Sequence, residues 1–188
     1  MEQYKINLHY AKALFMLASD MNCVDKVNED MRLVQQVCGE NRVLNKVFAN
    51  PTIKETKKSA IVEDLFKGHI SEVSMAFLCF VVRKRRAVSL RGIANAYIEL
   101  WRDKNNVVLA EFVTAVDIDQ QLLDEAKQMI ADYTGKEVEF VARVDNHRIG
   151  GFYLTFDNKL YDDRIRTKLI KLRNEFSRNE YESKIARR

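Results

Sequence analysis

The sequence predicts a mainly helical protein, with a six-helix bundle at its amino-terminal end followed by a small β-α-β-β-α part. Three observations lead to this prediction. Only six glycines and one proline occur among 188 residues, which is too few for the many turns of an all-β fold. Apolar residues recur at helical spacing from Tyr4 to Trp101. Beyond Asn106 the apolar pattern changes to the alternation that is typical of half-buried strands.

The change of period also predicts a domain boundary. Four polar residues, Asp103 to Asn106, interrupt the helical pattern at that point. We therefore expect an amino-terminal helical bundle over residues 1–105 and a carboxyl-terminal α/β domain with a basic terminal helix over 106–188. The sequence shows no internal repeat and no Pro- or Ser-rich linker.

The first helix carries more apolar positions than one core requires. At about 100° per residue these positions form two stripes. The stripes contain Ile6, Tyr10, Leu14, Leu17 and Met21 on one side, and Tyr4, Leu8, Ala11, Phe15 and Ala18 on the other. A helix packed on a single core needs only one stripe. We therefore expect this helix to bury one face in its own domain and the other against something else.

The next three helices are shorter or less strongly marked. The spacing predicts a second helix from Val24 to Gly39 and a short third helix at Val43–Phe48. Pro51 is expected at the start of a fourth helix. Thr52 and Glu55 have the spacing of a capping box, in which each side chain accepts a hydrogen bond from a free backbone N–H group.

The fifth helix is predicted to have no face in water. Ser71 is its expected amino-terminal cap, and its apolar run, Met75–Val82, ends at the basic segment Arg83–Arg86. A run of this length is far short of the roughly 20 residues that span a membrane. The helix therefore lies either at the centre of the bundle or beside the first helix in a groove that awaits a partner. A sixth helix continues from Leu90 to Trp101.

The second part of the chain alternates strands and helices. We expect strands at Val107–Val116, Val138–Val144 and Phe152–Phe156. Between the first two lies a helix capped by Asp117 or Asp119 and ended by Gly135. Residues 145–148 are predicted to form a turn.

The last predicted helix has a narrow apolar stripe and a basic flank. The stripe contains Ile165, Leu169, Leu172 and Phe176, and the flank contains Arg164, Arg166, Lys168, Lys171 and Arg173. Although the net charge is only +4, the last thirty residues hold ten Lys/Arg and five Asp/Glu. The stripe suits docking against another helix. The basic residues fit an acidic partner, a phosphate backbone or an anionic membrane, or simply a solvated helix face. The tail from Ser177 onward is predicted to be frayed.

The residues that usually carry catalysis do not combine into a site. The three histidines, His9, His69 and His147, lack any zinc-binding spacing, so we expect no metal and no cofactor. Gly150-Gly151 lacks the context of a phosphate-binding loop. Asp162-Asp163 is better explained as the cap of the last helix than as an acid–base pair. No active site is therefore predicted.

The cysteines and the aromatic residues, respectively, indicate the redox compartment and disfavour nucleic-acid binding. The three cysteines, Cys23, Cys38 and Cys79, form no CxxC pair and lie among apolar residues, which favours a reducing compartment. The aromatic residues lie on apolar stripes and not in the exposed clusters that stack on bases, so we expect no nucleic acid partner. No signal peptide is visible.

Several segments together resemble a known family, the delta subunit of F-type ATP synthases, to which the oligomycin sensitivity conferral protein also belongs. They are YAKALFMLA (Tyr10–Ala18), Asn50-Pro51, the apolar run and the basic segment from Met75 to Leu90, TAVDI (Thr114–Ile118), and TGKEVEFVARVDNHRIGGFYL (Thr134–Leu154). The family's order of elements, six helices and then a small α/β part, agrees with the order predicted from the residues.

The resemblance implies a non-catalytic peripheral-stalk, or stator, subunit that clamps the catalytic head to the stalk, so that ion-driven rotation is coupled to ATP synthesis. Its amino-terminal bundle would bind the amino-terminal helix of an alpha subunit. The residues expected to do so are Tyr10, Ala13, Leu14, Leu17, Phe77, Phe80 and Val81. Its carboxyl-terminal part would bind the end of the b-type stalk subunits. The residues expected there are Ile165, Leu169, Leu172 and Phe176, with Lys168 and Arg173 contacting acidic groups.

The resemblance also implies a location. The protein would be peripheral on the cytoplasmic face of a bacterial inner membrane, associated with that membrane only through the complex, and without homo-oligomers. The alternative from the residues themselves is a helical adaptor or nucleic-acid-binding protein that uses the basic carboxyl-terminal helix.

Overall fold

The computed structural model describes residues 2–116, 119–145, 147, 149–157 and 159–177. It is mainly helical with a small four-stranded sheet, which confirms the predicted fold class at that level. The chain divides into two compact units, Met1–Asn105 and Asn106–Arg188. We call them the helical unit and the sheet unit.

The described part of the helical unit contains six α-helices and a short 3-10 turn at Ala87–Ser89. The helices are α1 Glu2–Asp20, α2 Val24–Glu40, α3 Arg42–Ala49, α4 Glu55–Phe66, α5 Glu72–Arg83 and α6 Leu90–Asn105. Helix α6 packs against both α1 and α2. Its fully buried Tyr97 lies in the middle of this contact, with the ring centroid 5.7 Å from that of Phe15. The core of the helical unit includes this contact and extends to buried residues of α3, α4 and α5.

The predicted capping box of α4 is wrong. The side chain of Asn50 accepts hydrogen bonds from the backbone N–H of Thr52 (2.9 Å) and from its hydroxyl (2.7 Å). These bonds fold the residues after Asn50 into a turn, so the helix begins only at Glu55, with Lys54 as an N-cap that makes no side-chain bond. Asx turns of this kind compete with helix initiation for the same backbone donors. The sequence spacing of Thr52 and Glu55 does not reveal that competition.

The predicted cap of α5 is confirmed. The Ser71 hydroxyl accepts a hydrogen bond from the backbone N–H of Ser74 at 3.3 Å. Ser71 is itself held by Asp30 of α2, whose carboxylate accepts bonds from the Ser71 backbone N–H (3.0 Å) and hydroxyl (2.5 Å). The start of α5 is therefore fixed to α2 by a buried carboxylate.

The described part of the sheet unit contains four strands and two helices. Their bounds are β1 Val107–Thr114, α7 Gln120–Thr134, β2 Glu137–Val144, β3 Phe152–Phe156, β4 Lys159–Asp162 and α8 Ile165–Ser177. The strand order is β2-β1-β3-β4. Strands β1 and β2 are parallel, with α7 as the crossover, and the other pairs are antiparallel.

The predicted β-α-β-β-α order is wrong at one point, because it lacks strand β4. The observed order is β-α-β-β-β-α. Strand β4 has only four residues and forms a hairpin with β3, in which Phe156 pairs with Lys159 and Tyr153 with Asp162. Asp157 adopts a positive φ of 43° after the last residue of β3. Four residues are too few for an alternating pattern to be recognised in the sequence. Pairing with β3 keeps this segment extended.

The ends of α7 were predicted with mixed success. Gly135 ends the helix in the left-handed conformation, with φ 65°, and its N–H bonds to the Ala131 carbonyl at 2.8 Å, as expected. Asp119 occupies the N-cap position without a side-chain hydrogen bond to the helix. Asp117, the other candidate cap, lies outside the described residues, as do residues 146 and 148 of the predicted turn and the tail from 178 onward.

The core of the sheet unit lies between α7 and one face of the sheet. It contains Val108, Ala110, Ile130, Val138 and Phe156. In contrast, α8 has no buried residue. Within the described residues, no helix combines the length and the apolar character needed to cross a bilayer.

Candidate partner-binding surfaces

An apolar groove of about 810 Å³ runs between α1 and α5. The α1 side consists of His9, Tyr10, Ala13, Leu14, Leu17 and Met21, and the α5 side of Glu72, Val73, Ala76, Phe77 and Phe80. The ring centroids of Tyr10 and Phe80 lie 6.4 Å apart. This contact places the amino-terminal part of α1 beside the carboxyl-terminal part of α5, so Met21 and Glu72 belong to the other end of the groove.

The two apolar stripes of α1 have only partly separate environments, because Leu14, from the stripe that lines the groove, is also fully buried in the core. Ala11 and Ala18, from one stripe, are fully buried in the core of the helical unit. From the other stripe, Tyr10, Leu17 and Met21 line the groove. Leu17 is 43% exposed and Met21 56%. Together with the other lining residues they form a contiguous exposed apolar surface, which is typical of an interaction site. The side of α1 that is not needed for the core is therefore available to a partner.

Helix α5 forms the opposite wall, as in the second of the two predicted arrangements. Phe77 is mostly buried, whereas Phe80, one turn later, is 46% exposed at the groove surface. Small Ala13 and Ala76 lie on the two walls. Small residues between large apolar ones allow a helix backbone to approach closely while the large ones supply buried area. This shape fits an amphipathic helix.

Six of the seven residues expected to bind the alpha-subunit helix line this groove. They are Tyr10, Ala13, Leu14, Leu17, Phe77 and Phe80. Val81 is not among the lining residues, and its side chain is fully buried in the core of the helical unit. Sequence reasoning left His9, Met21, Glu72, Val73 and Ala76 out of that set. The spacing Val73, Ala76 or Phe77, Phe80 is itself a helical stripe and is the signal that identifies the α5 wall.

The second candidate surface is the apolar stripe of α8. Ile165, Leu169 and Leu172 are roughly half exposed, and Phe176 is 80% exposed. Lys168 forms an ion pair with Asp163 at 2.7 Å. Arg173 is exposed on the same helix. All six residues expected to bind the stalk thus lie on one exposed helix, on which no apolar position is buried.

Asp162 holds the residues just before α8. Contrary to the sequence prediction for the Asp162-Asp163 pair, its carboxylate does not cap a backbone N–H of the helix. The Asp162 carboxylate accepts hydrogen bonds from the backbone N–H of Arg164 (3.0 Å), the Arg164 side-chain Nε (2.8 Å) and the Thr167 hydroxyl (3.0 Å). Because these donors favour the ionised form, chiefly the Arg164 side chain, they hold the pKa of Asp162 well below its usual range. This carboxylate is a helix anchor.

Among the described residues we find neither a metal-binding cluster nor, at Cys38 and Cys79, a thiol with a lowered pKa. No group of three or more His, Cys, Asp or Glu side chains among them is placed to hold a metal ion. The three cysteines are free thiols, and burial raises the pKa of both Cys38 and Cys79, which lowers their reactivity.

Comparison with known sequences gives one family over nearly the whole chain. The model of the ATP synthase delta (OSCP) subunit family matches residues 6–176. Among curated relatives, the ATP synthase subunit delta of Chlorobium luteolum is 34% identical over 171 residues, covering 91% of this chain and 94% of its own. The subunit delta of Christiangramia forsetii is 33% identical, covering 94% of this chain and 95% of its own.

Comparison with solved structures finds the same fold. A chain in the cryo-EM structure of the Toxoplasma gondii mitochondrial ATP synthase hexamer matches with a TM-score of 0.70, covering 91% of this chain and 97% of its own. The two sequences are 16% identical, so this likeness concerns the fold alone.

Proposed function

Because the chain belongs to the ATP synthase delta (OSCP) subunit family, we propose that it is a non-catalytic peripheral-stalk subunit that joins the catalytic head of a rotary ATP synthase to its stalk. The helical unit binds the amino-terminal helix of an alpha subunit in the α1/α5 groove. The sheet unit binds the carboxyl-terminal end of b-type stalk subunits through α8. The family assignment favours this function over a nucleic-acid-binding adaptor.

The exposed apolar groove is the observation that carries the proposal. Leu17, Met21 and Phe80 each leave about half of the side chain in water. Fully burying a side chain of this size contributes about 1.5–3 kcal/mol, so covering the exposed halves of several such residues yields a useful binding energy. An amphipathic helix with apolar residues at i, i+3, i+4 and i+7 presents the complementary face.

The division of the chain into two units supports a connector with two ends. We propose that residues 1–105 and 106–188 are separate binding domains, one for the head and one for the stalk. Once one end is bound, the other binds at a high effective concentration, so two modest affinities give a durable link. Such a link holds the catalytic head still while ion flow turns the rotor, which is the condition for rotation to drive ATP synthesis.

We also propose where the protein lies in the cell. The protein lies on the cytoplasmic face of a bacterial inner membrane as a peripheral component, held there by the complex. Removing the other subunits is then expected to release it from the membrane.

The groove assignment is tested with two aspartate substitutions on one helix. Leu17→Asp places a charge inside the groove, whereas Met16→Asp places it one position away on an exposed residue outside the groove. We expect Leu17→Asp to weaken binding of an alpha amino-terminal peptide at least about tenfold in calorimetry, because a buried carboxylate loses its hydration. Met16→Asp should bind like the original chain. Equal affinity for all three proteins would disprove the groove assignment.

A further inference from the structure

The α1/α5 groove has opposite charges at its two ends. At the end marked by the Tyr10–Phe80 contact, the Lys84 amine lies 5.5 Å from the centroid of the Phe80 ring. At the other end, Glu72 lines the groove in the first turn of α5. Between these ends the lining is apolar apart from His9 and the Tyr10 hydroxyl. The groove therefore combines an apolar floor with one cationic and one anionic end.

Both charges are available to a partner. Neither Glu72 nor Lys84 forms an ion pair with any other described residue, in contrast to Arg85, whose Nε lies 3.6 Å from a Glu55 carboxylate oxygen. Both side chains are exposed. A charge beside an apolar surface becomes partly desolvated when that surface is covered, and this strengthens its attraction to an opposite charge on the partner.

We propose that Glu72 and Lys84 fix the direction of the helix that occupies the groove, and that this helix lies with its amino-terminal end beside Glu72 and its carboxyl-terminal end beside Lys84. This inference rests on the proposed function, with the alpha amino-terminal helix as the occupant. A helix carries a partial positive charge at its amino-terminal end and a partial negative charge at its carboxyl-terminal end. The proposed direction places each end beside its opposite charge.

The same argument specifies the chemistry of the occupant. It is an amphipathic helix parallel to α5 and antiparallel to α1, with an acidic side chain close to Lys84 and a basic one close to Glu72. The reverse direction brings like charges together at both ends, which opposes binding. An occupant without such side chains has only its helix dipole to distinguish the two directions, so its preference for one direction is weaker.

The direction is measured by NMR on the full chain. The probe is a synthetic peptide of the first residues of the same organism's alpha subunit, carrying a nitroxide at its amino-terminal end in one sample and at its carboxyl-terminal end in another. We expect the first nitroxide to broaden the amide signals around Glu72 and the second to broaden those around Lys84. The reverse pattern, or equal broadening at both ends, overturns the proposal.

The two charges are tested by calorimetry with matched controls. Lys84→Glu and Glu72→Lys should each weaken peptide binding roughly three- to tenfold at low salt, and the loss should shrink as salt is added. Arg86→Glu and Glu99→Lys make the same charge changes at exposed positions outside the groove, and we expect effects below about twofold. Equal losses for test and control variants contradict a directional role.

A charge-exchanged peptide distinguishes a loss of charge pairing from a loss of α5 structure in the variants. In this peptide the acidic and basic residues at the two ends change places. We expect it to bind the double variant Glu72→Lys/Lys84→Glu more tightly than the original chain. Failure of that rescue, with circular dichroism showing intact helices, overturns the proposal.

Failure of the proposed function has a different outcome. If the original chain does not bind the alpha peptide at all, the groove assignment itself is wrong. If the chain forms dimers in sedimentation that Leu17→Asp abolishes and the peptide does not dissociate, a second copy occupies the groove, and both proposals fail.

Discussion

The carboxylate of Asp30, on α2, accepts two hydrogen bonds from Ser71, one from the backbone N–H at 3.0 Å and one from the hydroxyl at 2.5 Å. Ser71 is the N-cap of α5, the helix that forms one wall of the groove. Asp30 is only 1% exposed, so this carboxylate has exchanged its hydration for these bonds. It thereby ties the groove wall to the core of the helical unit.

Replacing Asp30 with Ala should destabilise the chain. The Ser71 donors lose their buried acceptor, which costs about 1–3 kcal/mol. Urea unfolding checks this, followed by the fluorescence of Trp101, the single tryptophan, which lies in the helical unit. Asp30→Asn retains one acceptor oxygen and should lose less. Asp64→Ala, at an exposed position of α4, is the control; a similar loss there would show that the bonds to Ser71 are not the cause.

Tyr97 should make the helical unit sensitive to alkali. Burial, chiefly, together with the negative charges of neighbouring groups, raises the pKa of its phenol far above the ordinary value. An unfolded chain ionises this group near pH 10, whereas the folded chain keeps it protonated. The stability is therefore fully present below about pH 10 and is lost as the pH rises above it.

The variant Tyr97→Phe isolates this effect. It removes the hydroxyl's hydrogen bond to the Val24 carbonyl (3.2 Å), at a cost of about 0.5–1.5 kcal/mol at neutral pH. Between about pH 9 and pH 11 its melting temperature should then fall less steeply than that of the original chain. Because the other tyrosines and the cysteines are common to both proteins, the difference reports Tyr97. Parallel curves would contradict the prediction.

Lys58 should stabilise the carboxyl-terminal end of α3. Its amine is mostly buried and donates a hydrogen bond to the backbone carbonyl of Phe48 at 2.8 Å, in the last turn of that helix. Lys58→Met keeps the apolar part of the side chain but leaves the carbonyl without this donor. We expect a loss of about 1–3 kcal/mol in urea unfolding. Lys57→Met, at the exposed neighbouring position, should change stability by less than about 0.5 kcal/mol.

The α8 surface is tested by a substitution that should leave folding intact. Leu169→Asp lies on the apolar stripe, and Ile170→Asp places the same change off the stripe, at a residue of similar exposure. Since α8 has no buried residue, both variants should unfold within about 0.5 kcal/mol of the original chain. Only Leu169→Asp should weaken pull-down of a b-type stalk peptide. Equal binding by both would contradict the stalk assignment.

Most elements of this fold follow from local sequence pattern. The predicted helices and the strands β1, β2 and β3 correspond to described elements, because their periodicity is long enough to specify which face is buried. Two predictions of secondary structure failed because contacts that periodicity does not reveal determined the local conformation. The Asn50 side chain accepts a hydrogen bond from Thr52 before α4 begins, and β4 is held extended by pairing with β3.

The sequence by itself determined that α1 has more apolar surface than one core can use, since two stripes on one helix are visible without any structure. It also determined that α8 has an apolar stripe between basic residues. The tertiary structure decided which wall faces the stripe of Tyr10, Leu17 and Met21. It also decided that Val81 belongs to the core while Ala76 and Glu72 line the groove. Periodicity gives the direction of a side chain relative to its own helix axis. Only the packing of α5, anchored through Ser71 to Asp30, fixes what that side chain faces.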